Sequence, residues 1–293
     1  GMSRPSDHVG NTPLLKVEEG IYGKFETYSP SGSVKDRLAK YILDAAENAG
    51  QIKAGDTLVE ATSGNTGIAF ALLAAERGYD MKIVMPCNMS EERKQMMTTL
   101  GAELIEVDAG DFDGAIALRD RLAEENGWYN TNQFNNPLNI ECHYHTTGEE
   151  IVQACRSMNT KPAAFVSGTG TGGTIMGVAA KLRENYPDVK IIAVEPAESP
   201  VMSGGEPGLH GIQGIGDGSK FLVDLEEVDE IVVIPTESAK QRARELIKQK
   251  GMLVGISSGA NVLACEKWAS ENEFDGVIFT MLCDRGERYL SCI

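Results

Sequence analysis

The sequence has little positive charge. Its 293 residues include 27 lysines and arginines against 43 aspartates and glutamates, so the formal net charge at pH 7 is −16. A chain with this balance has no basic surface that could neutralise a run of phosphates. Neither DNA nor RNA is therefore expected as a partner.

Paired cysteines are also absent. The six cysteines contain no CxxC pair and are Cys87, Cys142, Cys155, Cys265, Cys283 and Cys292. This spacing fits neither a disulfide framework nor a zinc site, so we expect reduced thiols.

Of the four histidines, His143 and His145 alternate, but no cluster of Asp, Cys or His completes a ligand set. No metal site is expected.

The sequence has no long apolar run. No stretch approaches the length of a membrane span, and no apolar signal region follows residues 1–5. A hydrophobic content of 42% with 24% charged residues is ordinary for a globular chain, and 293 residues suffice for two domains. We expect a cytoplasmic enzyme that does not bind a membrane.

The sequence does contain a regular alternation of helical patterns with short apolar runs. In the first series, helical patterns cover residues 36–48, 65–77, 90–100 and 113–125, and apolar runs cover residues 57–61, 81–85 and 103–107. A second series begins with a helix over residues 140–156. The alternation predicts an α/β fold of two doubly wound, three-layer α/β/α domains with parallel sheets. A smaller, mobile domain is predicted at residues 36–138, and a larger one at residues 1–35 and 139–293.

Lys35 follows a turn rich in serine and glycine and opens a helical pattern. A lysine amine that its surroundings have deprotonated is a nucleophile and forms Schiff bases with aldehydes. The alternative is an exposed lysine at a helix start, and the residue alone does not decide between the two. Further glycine-rich turns in the chain favour the covalent role.

One such turn follows the apolar run at residues 163–167. Residues 168–173 satisfy the GxGxxG pattern and open a helix, and Glu195 ends the next apolar run where a ribose-binding acid belongs. A dinucleotide site is one interpretation. The turn itself requires only an anion at a helix N-terminus, so the monophosphate of a smaller cofactor fits equally well.

Two more strand-to-helix turns carry hydroxyl groups. Residues 62–67 read TSGNTG, and residues 255–259 read GISSG. In α/β folds such turns meet at the carboxyl edge of a sheet, where ligands bind, and the first would hold a carboxylate well. A dinucleotide enzyme has no evident use for Lys35 together with all three turns.

At this point the chain resembles the fold-type II pyridoxal-phosphate enzymes and, within them, the cysteine synthases, also called O-acetylserine sulfhydrylases. Four motifs in this order carry the resemblance: SVKDR at 33–37, TSGNTG at 62–67, GTGGT at 170–174 and GISSG at 255–259. The resemblance covers nearly the whole chain. It implies pyridoxal 5′-phosphate as the cofactor and an architecture like that of the tryptophan synthase β chain.

The resemblance also implies roles for individual residues. Lys35 would hold the cofactor as an internal aldimine, and Asn65 would hydrogen-bond the 3′-oxygen of its ring. The cofactor phosphate would lie on Gly170, Thr171, Gly172, Gly173 and Thr174. The α-carboxylate of the substrate would bind to Thr62, Ser63, Gly64, Thr66 and Gln133.

Ser257 would be the partner of the pyridine nitrogen. A neutral hydroxyl there, in place of an acid, cannot hold the ring protonated, so loss of a β-leaving group is favoured over transamination. The alternative role for Ser257 is a helix N-cap, and one residue can fill both roles.

The implied reaction is a β-replacement. An amino acid with a β-leaving group displaces Lys35, the free amine removes the α-proton to give an α-aminoacrylate, and a thiol or sulfide then adds. We predict synthesis of L-cysteine from O-acetylserine and sulfide or another sulfur donor. O-acetylserine ranks above O-phosphoserine because no arginine lies within residues 199–221 to bind a phosphate.

Within the family the motifs are mixed. Residues 283–289 look like the B-type isozyme, which admits larger sulfur donors, whereas residues 211–216 look like the A-type.

Asp217 departs from the family pattern. If the Asp217 carboxylate acts as a base for water or for a serine hydroxyl, it would favour breakdown of cysteine to serine and sulfide, or a serine-based condensation such as cystathionine formation. The alternative is an exposed turn residue. Cys283 either contacts the sulfur donor or is simply buried.

The resemblance implies small-molecule substrates and a homodimer. Some A-type members bind serine acetyltransferase, so a regulatory scaffold for that enzyme is a weaker alternative function. The intact Lys35, Thr62 and Gln133 favour catalysis.

Overall fold

The computed structural model describes residues 2–293. Its strands are, in chain order, β1 (Leu14–Glu18), β2 (Ile21–Phe25), β3 (Thr57–Ala61), β4 (Asp80–Pro86), β5 (Glu103–Val107), β6 (Tyr129–Asn130), β7 (Pro162–Gly168), β8 (Lys190–Pro196), β9 (Glu230–Ile234) and β10 (Val277–Leu282). Its α-helices are α1 (Lys35–Asn48), α2 (Asn65–Arg77), α3 (Glu91–Thr99), α4 (Phe112–Asn126), α5 (Pro137–His143), α6 (Glu149–Ser157), α7 (Gly173–Asn185), α8 (Thr236–Lys250) and α9 (Ile256–Glu271).

The strands form two sheets. The small sheet has the order β5-β4-β3-β6 and is parallel throughout. The large sheet has the order β1-β2-β10-β7-β8-β9, and all its neighbours are parallel except β1 and β2. The predicted α/β architecture is confirmed.

Each sheet is covered by helices on both faces, as buried parallel sheets require. In the small sheet, Leu58 packs into a core with α1, α2 and α3, and the next residue, Val59, packs into a second core with α4. This change of face follows from the alternation of side chains along a strand. In the large sheet, α8 and α9 cover one face, and α6 and α7 cover the other. The carboxyl ends of β3, β7 and β10 are left free for a site.

The helix predicted over residues 140–156 is interrupted. It forms as α5, a π-helical turn (Tyr144–Gly148) and α6. A wide turn of this kind inserts an extra residue into a helix, which the apolar periodicity of the sequence does not reveal. Helix α7 packs closely here, since a Cβ on Gly177 would lie 2.4 Å from the carbonyl oxygen of Ile140.

The hairpin of β1 and β2 was not among the predicted strands. Its turn contains Gly20, which has a φ of +79°. Strand β2 pairs with β10, so the hairpin extends the large sheet at the edge where Lys35 follows. No helix separates β1 from β2, so the alternation of helical patterns with apolar runs, which predicted the other strands, does not reveal this hairpin.

A buried cluster of ion pairs connects α1 to the large sheet. Arg37, two residues after Lys35, has its Nε 2.5 Å from an oxygen of Glu26 and its Nη1 2.5 Å from an oxygen of Glu150. The amine of Lys24 lies 2.9 Å from the other Glu150 oxygen. Burial by itself raises the pKa of the Glu150 carboxyl, but Arg37 and Lys24 outweigh this effect and lower that pKa from 4.5 to about 2.

We expect Glu150→Gln to lower the free energy of unfolding by about 3 kcal/mol above about pH 5, because a depressed carboxyl pKa stabilises the fold where the carboxyl is ionised. The effect is fully present above pH 4.5, the pKa in the unfolded chain, and is lost as the pH falls toward 2. Urea unfolding of both proteins between about pH 3 and about pH 6 measures it. Glu149→Gln, at the more exposed neighbour that pairs with Lys181, is the control. A difference between Glu150→Gln and the wild type that does not change with pH would contradict the expectation.

Candidate active site

Lys35 begins α1, and its side chain lines a cavity between the carboxyl edges of the two sheets. The segment after β10 holds its neighbours: the Val34 amide donates to the Cys283 carbonyl at 2.9 Å, and Ser33 pairs with Asp284. Burial lowers the pKa of the Lys35 amine, although the negative charge of Asp217 opposes the shift. A lysine in this environment loses its proton more readily than one in water.

The glycine-rich turn lines the same cavity, called here the main cavity. Residues 168–174, the phosphate turn, run from the end of β7 to the start of α7. The first amides of a helix have no intrahelical acceptor and bind anions. Two positions of the turn require glycine, since a Cβ on Gly170 would lie 2.8 Å from the Gly214 carbonyl oxygen and one on Gly173 would lie 2.0 Å from Asn139 Oδ1. The amides at the start of α7 are the groups of this turn that could bind a phosphate.

Side chains complete the lining of the main cavity. Thr174, Ser257, Asn65 and Cys283 all face it, together with Lys35. An amine, an anion-binding helix start and several neutral hydrogen-bonding groups form the donor set that a phosphorylated aldehyde requires. The residues present therefore fit pyridoxal 5′-phosphate.

Ser257 and Cys283 are neighbours in the main cavity. Ser257 is buried in the first turn of α9, as an N-terminal residue of that helix. Burial raises the pKa of the Cys283 thiol to about 12, and a hydrogen bond with Ser257 offsets only part of this shift. Cys283 is consequently a neutral thiol near pH 7, so it can contact a sulfur donor but is not poised as a nucleophile. Its predicted contact with the donor stays a prediction.

Residues 62–67, the carboxylate loop, follow β3 and open α2. The Thr62 hydroxyl accepts from the Gly64 amide at 2.9 Å and the Gly67 amide at 3.3 Å, which folds the loop back on itself. The Thr66 hydroxyl donates to Gln133 Oε1 at 2.7 Å, and Gln133 Nε2 donates to the Ala61 carbonyl at 2.5 Å. Two of the predicted carboxylate ligands, Thr66 and Gln133, thus hold each other in place.

Ser63 lies on a second cavity, the outer cleft, which adjoins the main cavity at Gly214 and Ile215. The outer cleft opens between residues 109–113 and residues 207–218. The predicted site residues therefore divide into three groups. The main cavity is lined by Lys35, Asn65, Gly170, Thr171, Gly172, Thr174, Ser257 and Cys283. The outer cleft is lined by Ser63 and Asp217. Thr62, Gly64, Thr66, Gln133 and Gly173 shape the backbone behind these walls.

A network around Asn65 was missed by sequence reasoning. Asn65 Nδ2 donates to Asp284 Oδ2 at 2.7 Å, and Arg288 Nη1 donates to Asn65 Oδ1 at 2.5 Å. The Tyr289 hydroxyl also donates to Asp284. Both ends of the Asn65 amide are therefore occupied, so its orientation toward the main cavity is set by the segment after β10. The only signal in the sequence is a group of charged residues directly after an apolar strand.

Asp217 is buried, so the alternative that it is an exposed turn residue is wrong. Only 4% of its surface is accessible, and its Oδ1 has no hydrogen-bond partner among residues 2–293. Burial raises the pKa of this carboxyl, while the positive charge of Lys35 opposes the shift. A Cβ on Gly170 would lie 3.1 Å from Asp217 Oδ2. The carboxylate is thus at the boundary between the phosphate turn and the outer cleft.

Other kinds of site were sought over residues 2–293. In that part of the chain no three His, Cys, Asp or Glu side chains are grouped so as to hold a metal ion. Nor does any helix there have the length and apolar character needed to cross a membrane. All six cysteines are free.

Comparisons with known proteins agree with this geometry. A family model described as "Pyridoxal-phosphate dependent enzyme" matches residues 5–284. A cysteine synthase from Staphylococcus aureus is 42% identical over 97% of this chain and 94% of its own length. The solved structure of a hydrogen sulfide-producing enzyme from Fusobacterium nucleatum is 40% identical, with a TM-score of 0.92 over 99% of this chain and 100% of the other. The O-acetylserine dependent cystathionine beta-synthase from Helicobacter pylori is 37% identical, with a TM-score of 0.91 over 99% of this chain and 97% of the other.

These similarities extend along nearly the whole chain and confirm the cofactor class predicted from the four motifs. Lys35, the phosphate turn and the carboxylate loop all lie within the matched residues. The chain belongs to the family of pyridoxal-phosphate dependent enzymes that includes the cysteine synthases.

Proposed function

We propose that the chain catalyses a β-replacement that makes L-cysteine from O-acetylserine and sulfide. The observation that carries this proposal is the placement of Lys35, a lysine of lowered pKa, in one cavity with the phosphate turn and Asn65. The similarity to a cysteine synthase over 97% of the chain supports the same reaction. The absence of arginine from residues 199–221 favours an acetyl over a phosphate leaving group.

Specific residues would hold the cofactor. The phosphate turn would bind the phosphate with its amides and the Thr174 hydroxyl, Ser257 would lie toward the pyridine nitrogen, and Lys35 would be the residue that holds the aldehyde carbon. Asn65, held by Asp284 and Arg288, would hydrogen-bond the ring oxygen. When bound, pyridoxal phosphate supplies an electron sink for the α-carbon of the amino acid.

The protein supplies binding and proton transfer. The carboxylate loop and Gln133 bind the α-carboxylate, which places the α-carbon beside Lys35. Once the substrate amine has displaced Lys35, the uncharged Nζ would take the α-proton and acetate would leave the β-carbon. Sulfide would then bond to the β-carbon, and Lys35 would return the proton to the α-carbon. Residues 36–138 form the smaller unit in this proposal, and its movement toward the larger unit excludes water during these steps.

Lys35→Ala is expected to lower the rate of cysteine formation by about 10⁴-fold, because the proton acceptor is lost. Colorimetric assay of cysteine from O-acetylserine and sulfide measures the rate. Lys40→Ala is the matched control, since Lys40 lies in the same helix but pairs with Asp44 on its surface. A Lys35→Ala protein that keeps more than about a tenth of the wild-type rate would defeat the proposal.

A second function is favoured by Asp217, namely conversion of L-cysteine and water to L-serine and sulfide. A buried carboxylate with a raised pKa and one free oxygen is suited to accept a proton from water near neutral pH. In this reaction sulfide leaves the β-carbon and the water oxygen bonds to it, while Asp217 takes the water proton. The similarity to a hydrogen sulfide-producing enzyme at 40% identity supports this candidate.

For this function Asp217→Asn is expected to lower the ratio of two rates by about 100-fold. The two rates are serine formation from cysteine and cysteine formation from O-acetylserine. The first falls because water needs a base to become a nucleophile, whereas sulfide does not. Chromatographic measurement of serine and cysteine gives the ratio. Asp113→Asn, at an exposed acid of the same cleft, is the control. An unchanged ratio would show that Asp217 does not activate water.

Condensation of serine or O-acetylserine with a larger thiol, as in cystathionine formation, is a further alternative for the same site. The Helicobacter pylori relative is described as an O-acetylserine dependent cystathionine beta-synthase. Homodimer formation, binding of serine acetyltransferase and a cytoplasmic location are further predictions that rest on the family resemblance.

A further inference from the structure

Arg93 of α3 is a buried cation without an anionic partner. Its side chain is fully buried, and its Nε and Nη2 have no hydrogen-bond partner among residues 2–293. The remaining nitrogen, Nη1, donates to the amide oxygen of Gln213 at 2.7 Å and lies 3.9 Å from the sulfur of Met89. No carboxylate is therefore hydrogen-bonded to this guanidinium in the described part of the chain. An unbalanced buried charge is costly, and it calls for an explanation.

The guanidinium lies directly against the carboxylate loop. A Cβ on Gly64 would be 2.6 Å from Arg93 Nε and 2.8 Å from Arg93 Cζ. Gly64 has a φ of +135°, a conformation that other residues rarely adopt. On another side, Arg93 Cζ is 5.4 Å from the centre of the Tyr289 ring. Arg93 is thus packed between the loop backbone and Tyr289, and the shape of the loop at Gly64 depends on it.

Gln213 connects Arg93 to the outer cleft. Its amide oxygen accepts from Arg93 Nη1 at 2.7 Å and from the Ser90 amide at 3.3 Å. Gln213 also lines the outer cleft together with Ser63 and Asp217. The positive charge of Arg93 is therefore next to the position where the proposed function places the substrate carboxylate.

We propose that Arg93 is a positioning residue for the substrate carboxylate. It holds the loop backbone at Gly64 and supplies a positive charge that forms no ion pair among residues 2–293 and that a carboxylate on the other side of the loop would balance. The ligand carboxylate and the guanidinium then stabilise each other across one layer of backbone. This inference rests on the proposed function, because it takes residues 62–67 as the carboxylate-binding loop.

Ligand binding by the holoenzyme tests the inference without turnover. L-alanine carries the α-amine and the α-carboxylate but no leaving group, and L-alaninamide lacks the carboxylate charge. Arg93→Met is expected to weaken L-alanine binding about 30- to 100-fold, the factor that corresponds to the loss of a charge about 6–8 Å away at an effective dielectric constant near 20. L-alaninamide binding is expected to change less than about 3-fold, since it carries no negative charge to be balanced. Isothermal titration calorimetry measures both dissociation constants.

Two variants separate charge from packing. Arg93→Lys keeps the charge, so it is expected to recover most of the L-alanine affinity lost in Arg93→Met. Arg77→Met removes an arginine of α2 that is paired with Asp44 and Glu47 of α1, and is expected to leave both affinities unchanged.

Gln213→Glu provides an independent test if Arg93→Met does not fold. It places a carboxylate on Arg93 Nη1, so it is expected to weaken L-alanine binding, spare L-alaninamide binding and raise the melting temperature of the ligand-free protein. Equal ratios of the two affinities in wild type, Arg93→Met and Gln213→Glu would overturn the inference. A wild type that binds L-alanine no more tightly than L-alaninamide would instead contradict the carboxylate loop of the proposed function.

Discussion

The proposed chemistry of this chain depends on the desolvation of the Lys35 amine. The residues on either side of it are fixed by contacts with distant parts of the chain. The Val34 amide is bound to the Cys283 carbonyl, and Arg37 is paired with the buried Glu26 and with the partly buried Glu150. Nearer in sequence, the Asp36 carboxylate accepts from the Ser31 amide at 2.7 Å. The start of α1 is thereby held against the large sheet, and the Lys35 side chain lines the main cavity. Its lowered pKa follows from that position.

Several buried polar side chains near the site lack hydrogen-bond partners. Among residues 2–293, buried side-chain polar atoms without hydrogen-bond partners occur on Glu18, Ser90, Arg93, Asn139, Asp217, Asp284 and Arg288. All of these except Glu18 of β1 adjoin the two cavities or the network behind them. A buried polar group left without a partner costs about 1–3 kcal/mol. In the proposed function, a zwitterionic amino acid would bring charges opposite to those of Arg93 and Asp217, so part of this cost would be recovered on binding.

Local patterns in the sequence predicted much of the fold. The bounds of α2, β3 and β5 agree with the helical pattern at 65–77 and the apolar runs at 57–61 and 103–107. Periodicity identifies these elements because each buries one face of a helix, or a short continuous strand, against a sheet. The π-helical turn before α6 was not predicted, since a single inserted residue hardly changes that periodicity. The β1–β2 hairpin was not predicted, since no helical pattern separates its two strands.

The sequence by itself determined the local chemistry: an amine at a helix start, a bare glycine turn for an anion and a hydroxyl loop for a carboxylate. Each of these depends on residues within a few positions of one another, so the motif itself determines their backbone conformations and hydrogen-bonding groups. Only the tertiary structure decided which groups face one another. The Asn65–Asp284 hydrogen bond joins residues 219 positions apart, and Arg93 reaches Gln213 across 120 positions. The burial of Asp217 likewise depends on packing against the phosphate turn. Contacts and desolvation of this kind arise from the packing of whole elements, which no short stretch of sequence specifies.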